Sequence, residues 1–388
     1  MAFLFGSVSF SRFKIVGGAP KRLDDALLDK LRHHAIGAQR SVRPDHEEIG
    51  WLGGRHLLDR DFALEKNILV ECLHFALRID VSRIPPELLR AYVEQELESL
   101  RAEGGARRDF ARLKKQAVEA ARRRADREIK DGHYRRSRQF PILLDGPRDV
   151  LYLAAGPPAV SERLHPLFRE TFGKRLEPIT AGQVAYEFAE RHGLTRRIES
   201  LQPSKLVAPP DGDGRPDVWW TAHDPASRDY LGNEFLLWLW FTLGEDSDTV
   251  ALPDDTEAAV VLVKNLTLEC PWGENGKETI SAEGPTQLPE ARRAIQSGKL
   301  PRKAGLIVSR QDQQYTFTLQ AETLNVSSAV LPKVETNGDP RACFEERVQQ
   351  IRHLAETLDL LYGAFLKLRL STDWPALSDR LRAWLRRS

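Results

Sequence analysis

Between Arg107 and Arg138 the chain carries thirteen Lys/Arg against five Asp/Glu, while all 388 residues together have a formal net charge of only +1. So many charges cannot be buried without partners, so this stretch is expected outside any hydrophobic core. Its apolar side is small and alanine-rich: Phe110, Leu113, Ala117, Ala120 and Ala121. A helix from Arg107 to Lys130 would run roughly 36 Å at about 1.5 Å per residue. The segment before it reads as a second helix. Pro85-Pro86 suits a first turn, and Leu88, Leu89, Tyr92, Val93, Leu97 and Leu100 recur at helical spacing. Glu87, Glu94, Glu96 and Glu98 make its polar face acidic, and Gly104-Gly105 ends it. The expectation is a projecting antiparallel helical hairpin over 85–138, closed by Asp131-Gly132 and a basic loop from His133 to Arg138. Two readings of the charge stand here. It is offered to a polyanion, or it is a solvated face in which Glu119 pairs with Lys115 and Arg123, and Asp126 with Arg122 and Lys130.

The remainder reads as α+β, with mixed antiparallel sheets and a long C-terminal helix. Leu73 to Asp80 alternates as a half-buried strand, and Pro141–Asp145 with Val150–Ala154 reads as strand–turn–strand. Ser161–Phe172 reads as a helix. Asn233 is expected to cap an apolar helix containing Phe235, Trp238, Trp240 and Phe241, which is apolar all round and therefore a core element. Strands are expected at 260–268, 278–282, 306–309 and 315–319. Asp339-Pro340 then opens a helix in which Phe344, Val348, Ile351, Ala355, Leu358, Tyr362 and Phe365 alternate spacings of four and three. That seam packs either on the protein's own sheet or across a dimer. Three regions are expected: 1–200, holding the hairpin; 201–260, a helical and loop insertion rich in Pro, Gly and Asp; and 261–388.

Composition restricts the setting. Three separated cysteines, with no CxxC or Cys/His ligand spacing, suggest reduced thiols and a cytoplasmic protein. The start lacks a basic segment followed by a clean apolar run, so a first strand is expected there. The most apolar run, Phe235–Phe241, is seven residues, against the roughly 20 needed to span a bilayer.

No catalytic constellation stands out in the sequence. Asp211 to Asp217 resembles a calcium loop but places Arg215 and Ala222 where oxygen ligands are needed. The acidic clusters Asp24, Asp25, Asp29 and Asp254, Asp255, Glu257 lack the strand and E-x-K context of a nuclease. His33-His34 and His192 have no companions at ligand spacing, and there is no phosphate-binding loop or nucleophile elbow. No catalytic residue, cofactor or metal is expected.

Several segments resemble the bacterial recombination-associated protein family RdgC. They are Ile49-Gly50-Trp51, the Ile-Pro-Pro helix start at 84–86, the basic helix, Phe140–Asp145 and Leu176-Glu-Pro-Ile179. The likeness resumes at Asn275–Thr279, Ala291–Lys299 and the long helix through Phe365, and Leu231–Trp240 is similar to a signature of longer members. About three-quarters of the chain is covered. The chain departs from shorter members in its larger 200–260 region and its basic tail. The resemblance implies a ring-shaped homodimer that encloses duplex DNA without sequence preference, associates with the nucleoid and restrains RecA-dependent recombination. On this reading Arg107, Arg108, Arg112, Lys114, Lys115, Arg122, Arg123, Arg124, Arg127, Lys130, Arg135, Arg136 and Arg138 contact phosphates. Phe344, Val348, Ile351, Leu358, Tyr362 and Phe365 are the candidate dimer surface. A metal-dependent nuclease and a protein-interaction module remain the alternatives.

Overall fold

A computed structural model describes residues 3–38, 47–104, 110–154, 156, 158–207, 218–221, 224, 227–273, 276–334 and 339–387. The strands are β1 (Val8–Val16), β2 (Glu47–Leu52), β3 (Ile68–Leu69), β4 (Cys72–Ser82), β5 (Arg135–Asp145), β6 (Val150–Ala154) and β7 (Arg175–Pro178). They continue as β8 (Thr249–Ala251), β9 (Glu257–Glu269), β10 (Glu278–Ala282), β11 (Leu300–Arg310), β12 (Gln313–Gln320) and β13 (Val326–Val330). The helices are α1 (Asp25–His33), α2 (Leu64–Asn67), α3 (Pro86–Gly104), α4 (Phe110–Lys130), α5 (Pro158–Phe172) and α6 (Ala181–Arg191). After them come α7 (Thr195–Ser200), α8 (Tyr230–Glu245), α9 (Pro289–Gln296), α10 (Pro340–Arg369) and α11 (Trp374–Arg386).

The fold is α+β. Among the described residues, thirteen strands join one antiparallel sheet, whose main path runs β10-β9-β11-β12-β13-β1-β6-β5-β4-β2. One sheet replaces the several expected from the strand pattern. The join lies at β13 and β1, which pair at Val8↔Ala329 and Phe10↔Val326 across an irregularity.

Side-chain alternation assigns the two faces of the N-terminal part to different cores. Phe13, Ile15, Leu73, Phe75, Leu77, Ile142, Leu144, Leu151 and Leu153 pack with α1 and α5. Phe10, Cys72, Leu143 and Tyr152 turn to the larger core beneath α6, α8, α10 and α11. Strand β4 is therefore covered on both faces, where its alternation suggested one; His74 is 2% exposed and Ala76 is fully buried. A polar residue on the second face read as a solvent-facing position, whereas α10 lies over it, with Phe344 edge-on to His74 at 5.0 Å.

Helix α10 corrects the dimer-surface expectation. Phe344, Val348, Ile351, Leu358, Tyr362 and Phe365 are all buried inside the subunit, between 0% and 6% exposed. Tyr362 donates its hydroxyl to the Ala181 carbonyl at 2.9 Å, and Phe365 packs against Phe235 and Trp238 of α8. Burying each such side chain stabilises the fold by about 1.5–3 kcal/mol, so they cannot also serve a second subunit. The four-three spacing records packing on the chain's own sheet and helices.

In the 201–260 region, the apolar helix is buried as its composition led one to expect. Helix α8 lies in the same core as β11, α10 and α11. Asn233 is not its cap: the helix starts at Tyr230, and the buried Asn233 amide donates to the Pro301 carbonyl and to Glu322, both at 2.7 Å. The residues expected to resemble a calcium loop lie outside the described residues.

Candidate nucleic-acid interface

Strands β4 and β5 pair continuously from Cys72↔Asp145 to Ser82↔Arg135. Everything from 83 to 134 is thus an excursion from one end of that pair, and it contains α3 and α4. The helices run antiparallel: Tyr92 meets Glu128, Gln95 accepts from Arg124 at 3.2 Å, and the Arg101 guanidinium lies over the Phe110 ring. Leu113, Ala117, Ala121 and Ala125 are the buried stripe of α4. The stripe of α3 is only half-buried apart from Tyr92.

At about 100° per residue, Arg112, Lys115, Arg123, Arg127 and Lys130 turn away from that stripe, while Lys114 and Arg122 border α3. All seven are exposed. Among the described residues none of them forms an ion pair, and Glu119 and Asp126 do not make the i,i+4 bridges their spacing offers. This leaves an exposed surface of α4 on which the cations outnumber the two acids, Glu119 and Asp126, that share it. Arg107 and Arg108 lie outside the described residues.

Arg124 and Arg135 behave differently. Arg124 stacks on Tyr92 at 3.8 Å and pairs with Glu128 at 3.3 Å. The hydroxyl of Tyr134 also donates to Glu128 (2.8 Å), as does that of Tyr92 (2.9 Å). The bond from Tyr134 and those from Tyr92 and Arg124 hold the Glu128 carboxyl below the usual range against the opposing effect of burial. This cluster locks the exit from α4. Gly132 takes φ 89°, His133 N–H returns to the Glu128 carbonyl at 2.9 Å, and Tyr134 sits at φ 60°, an unusual value for a side chain with a Cβ. Tyr134 is a loop anchor.

The expected basic loop 133–138 is mostly strand, because β5 begins at Arg135. Alternation then separates its arginines. Arg135 faces Asp80 and Glu48, bonding to the former at 2.9 Å and the latter at 2.7 Å. Burial pushes the Asp80 carboxyl up, but bonds from Arg78, Ser137 and Arg135 outweigh it and leave it below its ordinary value. Arg136 and Arg138 point to the other face, exposed and without an ion-pair partner among the described residues.

Sequence reasoning missed Arg83 and Arg163, which border the same face as Arg136 and Arg138. Arg83 lies between β4 and α3 and Arg163 on α5, far from the basic helix in sequence, and only the packing of these elements around the strand ends brings them together. The acidic clusters have structural partners: Asp24 caps α1 through Leu27 N–H at 3.1 Å, Asp29 pairs with Arg32, and Asp254 accepts from Thr256 and Arg310. His192 stacks on Phe188. Among the described residues no disulfide forms, and Cys72 and Cys270 are buried. No helix among the described residues is long and apolar enough to cross a membrane. In comparisons with known proteins, no protein-family model matches this chain, and no curated protein matches it significantly.

Proposed function

We propose that this protein binds double-stranded DNA without sequence preference, that the α3–α4 pair projects as the element that grips it, and that it modulates RecA-dependent recombination. The observation that carries the reading is the face of α4: Arg112, Lys115, Arg122, Arg123, Arg127 and Lys130 exposed together, none neutralised among the described residues. Unpaired cations along one helix suit a row of phosphates and carry no code for base edges. The resemblance to the recombination-associated family supports the link to RecA and a homodimer closing around the duplex. With the α10 seam buried inside the subunit, such a ring would use other surfaces. We propose a non-enzymatic, nucleoid-associated role.

An electrophoretic shift on random-sequence linear and closed circular duplexes tests this. Affinity is expected to fall with salt at a log–log slope of about −0.9 per phosphate neutralised. Changing Arg122, Arg123 and Arg127 together to Glu is expected to weaken binding by roughly a hundredfold at low salt. A salt-insensitive affinity, or a triple variant that binds normally, would remove α4 as the DNA surface.

The alternative of an acidic protein partner has one observation in its favour. Leu89, Val93, Leu97 and Phe110 leave a half-open apolar groove between the two helices, and Phe110 is 53% exposed. Failure to shift any duplex at low salt would bring that reading forward.

A further inference from the structure

We infer that a groove at the end of the β4–β5 pair is a binding site for one unpaired nucleotide, with the phosphate on its arginines and the base on its apolar floor. Register builds it. Val81 stands opposite Arg136 and Glu47, and Ile79 opposite Arg138, so these side chains share one face of the sheet. Helix α5 covers that face farther along, where Trp51 donates to Thr171 at 2.8 Å, but its first turn stops short of the strand ends. The chain entering α3 closes the opposite side with Arg83, Ile84 and Pro85. A cavity of about 490 Å³ remains, within the roughly 300–1,000 Å³ typical of small-ligand sites.

Charge and surface together select the ligand. Arg163 is committed to Glu47 at 2.6 Å and to the Ala159 carbonyl at 2.8 Å. Arg83, Arg136 and Arg138 have no ion-pair partner among the described residues, so about three positive charges ring the cavity uncompensated. Guanidinium forks match phosphate oxygens, and their planes also stack on bases. The floor of Ile79, Val81, Ile84, Phe140 and Val160 offers an ionic head nothing to bond. A bare inorganic anion would leave that floor wet, and a hydrocarbon would leave the guanidiniums without an anion. A nucleotide satisfies both, and the first turn of the fifteen-residue α5 adds the positive end of its dipole. The groove is separate from the outer face of α4 and does not depend on duplex binding.

The source, a free nucleotide or an unpaired nucleotide of a DNA strand, is separated by experiment. The full chain would be titrated by calorimetry with dAMP, dTMP and inorganic phosphate. In parallel its affinity for a blunt duplex would be compared with the same duplex carrying a short single-stranded overhang. Two variants accompany it: Arg136→Ala with Arg138→Ala, and Ala159→Trp, which fills the cavity and leaves every charge in place. Roughly tenfold tighter binding of the overhang, lost in both variants, upholds a strand-borne nucleotide. Saturable dAMP binding lost in both variants upholds a free one. Phosphate binding as tightly as dAMP removes the base from the site and overturns the inference. It is equally overturned if neither dAMP nor the overhang is preferred, or if Ala159→Trp leaves the preference unchanged.

Discussion

Arginines at the centre of this molecule and arginines on α4 are the same residue put to opposite uses. In the centre, Arg352 donates two 2.8 Å bonds to Asp145, which is fully buried, and a third to the Val70 carbonyl. Arg12 is 4% exposed and pairs with Asp359, and Arg369 pairs with Glu234 at 2.6 Å. Each of these pairs joins segments far apart in the chain; Asp145 and Glu234 leave water together with their arginines, whereas Asp359 meets the buried Arg12 from a half-exposed position. On α4, Arg124 apart, the guanidiniums are exposed, and Glu119 and Asp126 bridge to none of them among the described residues. A buried arginine is thus committed to the fold, whereas an exposed one without a carboxylate is free for an anion. Burial and partnership decide the role, and residue type does not.

The largest expected effect comes from breaking a central pair. Asp145→Ala leaves the Arg352 guanidinium buried and uncompensated, and denaturant unfolding should show a loss of about 3–5 kcal/mol. Asp145→Leu combined with Arg352→Met should recover most of it. A single variant as stable as the parent would break the comparison at its root.

A second effect, also large, belongs to a buried titratable group facing α10. Among the described residues the His74 Nε2 has no hydrogen-bond partner, and burial pushes its pKa from 6.5 down to about 4. Above pH 6.5 both folded and unfolded forms are neutral. Below that the unfolded chain takes the proton first, so stability should fall by about 3 kcal/mol as pH drops from 6.5 toward 4. His74→Leu should flatten this part of the stability–pH profile. An unchanged slope would assign the acid sensitivity to other groups.

The smallest effects are expected on the helical pair. Arg124→Ala gives up the stacking on Tyr92 and should cost about 1 kcal/mol. Reversing Arg122, Arg123 and Arg127 should leave stability within about 0.5 kcal/mol while DNA binding collapses. If thermal unfolding showed the reversed variant to be as damaged as Asp145→Ala, α4 would be a fold element and the division between the two classes of arginine would fail.

Much of the fold could be read along the chain because it is written in local patterns. The alternation at Leu73–Asp80, the Asp339-Pro340 start of α10 and the Pro86 start of α3 are each the product of a few neighbouring residues. The amphipathic basic helix was legible for the same reason, and so was the burial of Trp238 and Trp240. Asn233 was misread because an amide suits a cap and a buried network equally well, and only Pro301 and Glu322, far along the chain, choose between them. The heptad-like seam was ambiguous for a related reason: spacing reports that a stripe is buried and says nothing about what buries it.

By itself, the sequence determined an α+β chain with a basic helix too charged to enter a core and a long C-terminal helix with one apolar stripe. These follow from periodicity and charge, which act over a few turns or strand residues. Tertiary structure alone decided that one sheet runs through both halves and that α10 spends its stripe within the subunit. It also decided which arginines are partnered. Strand register sends Arg135 to Asp80 and Glu48 on one face, and Arg136 and Arg138 toward Arg83 and Arg163 on the other. Neighbours in sequence come to face opposite ways because side chains alternate along a strand, while their partners are chosen by a register that long-range pairing imposes.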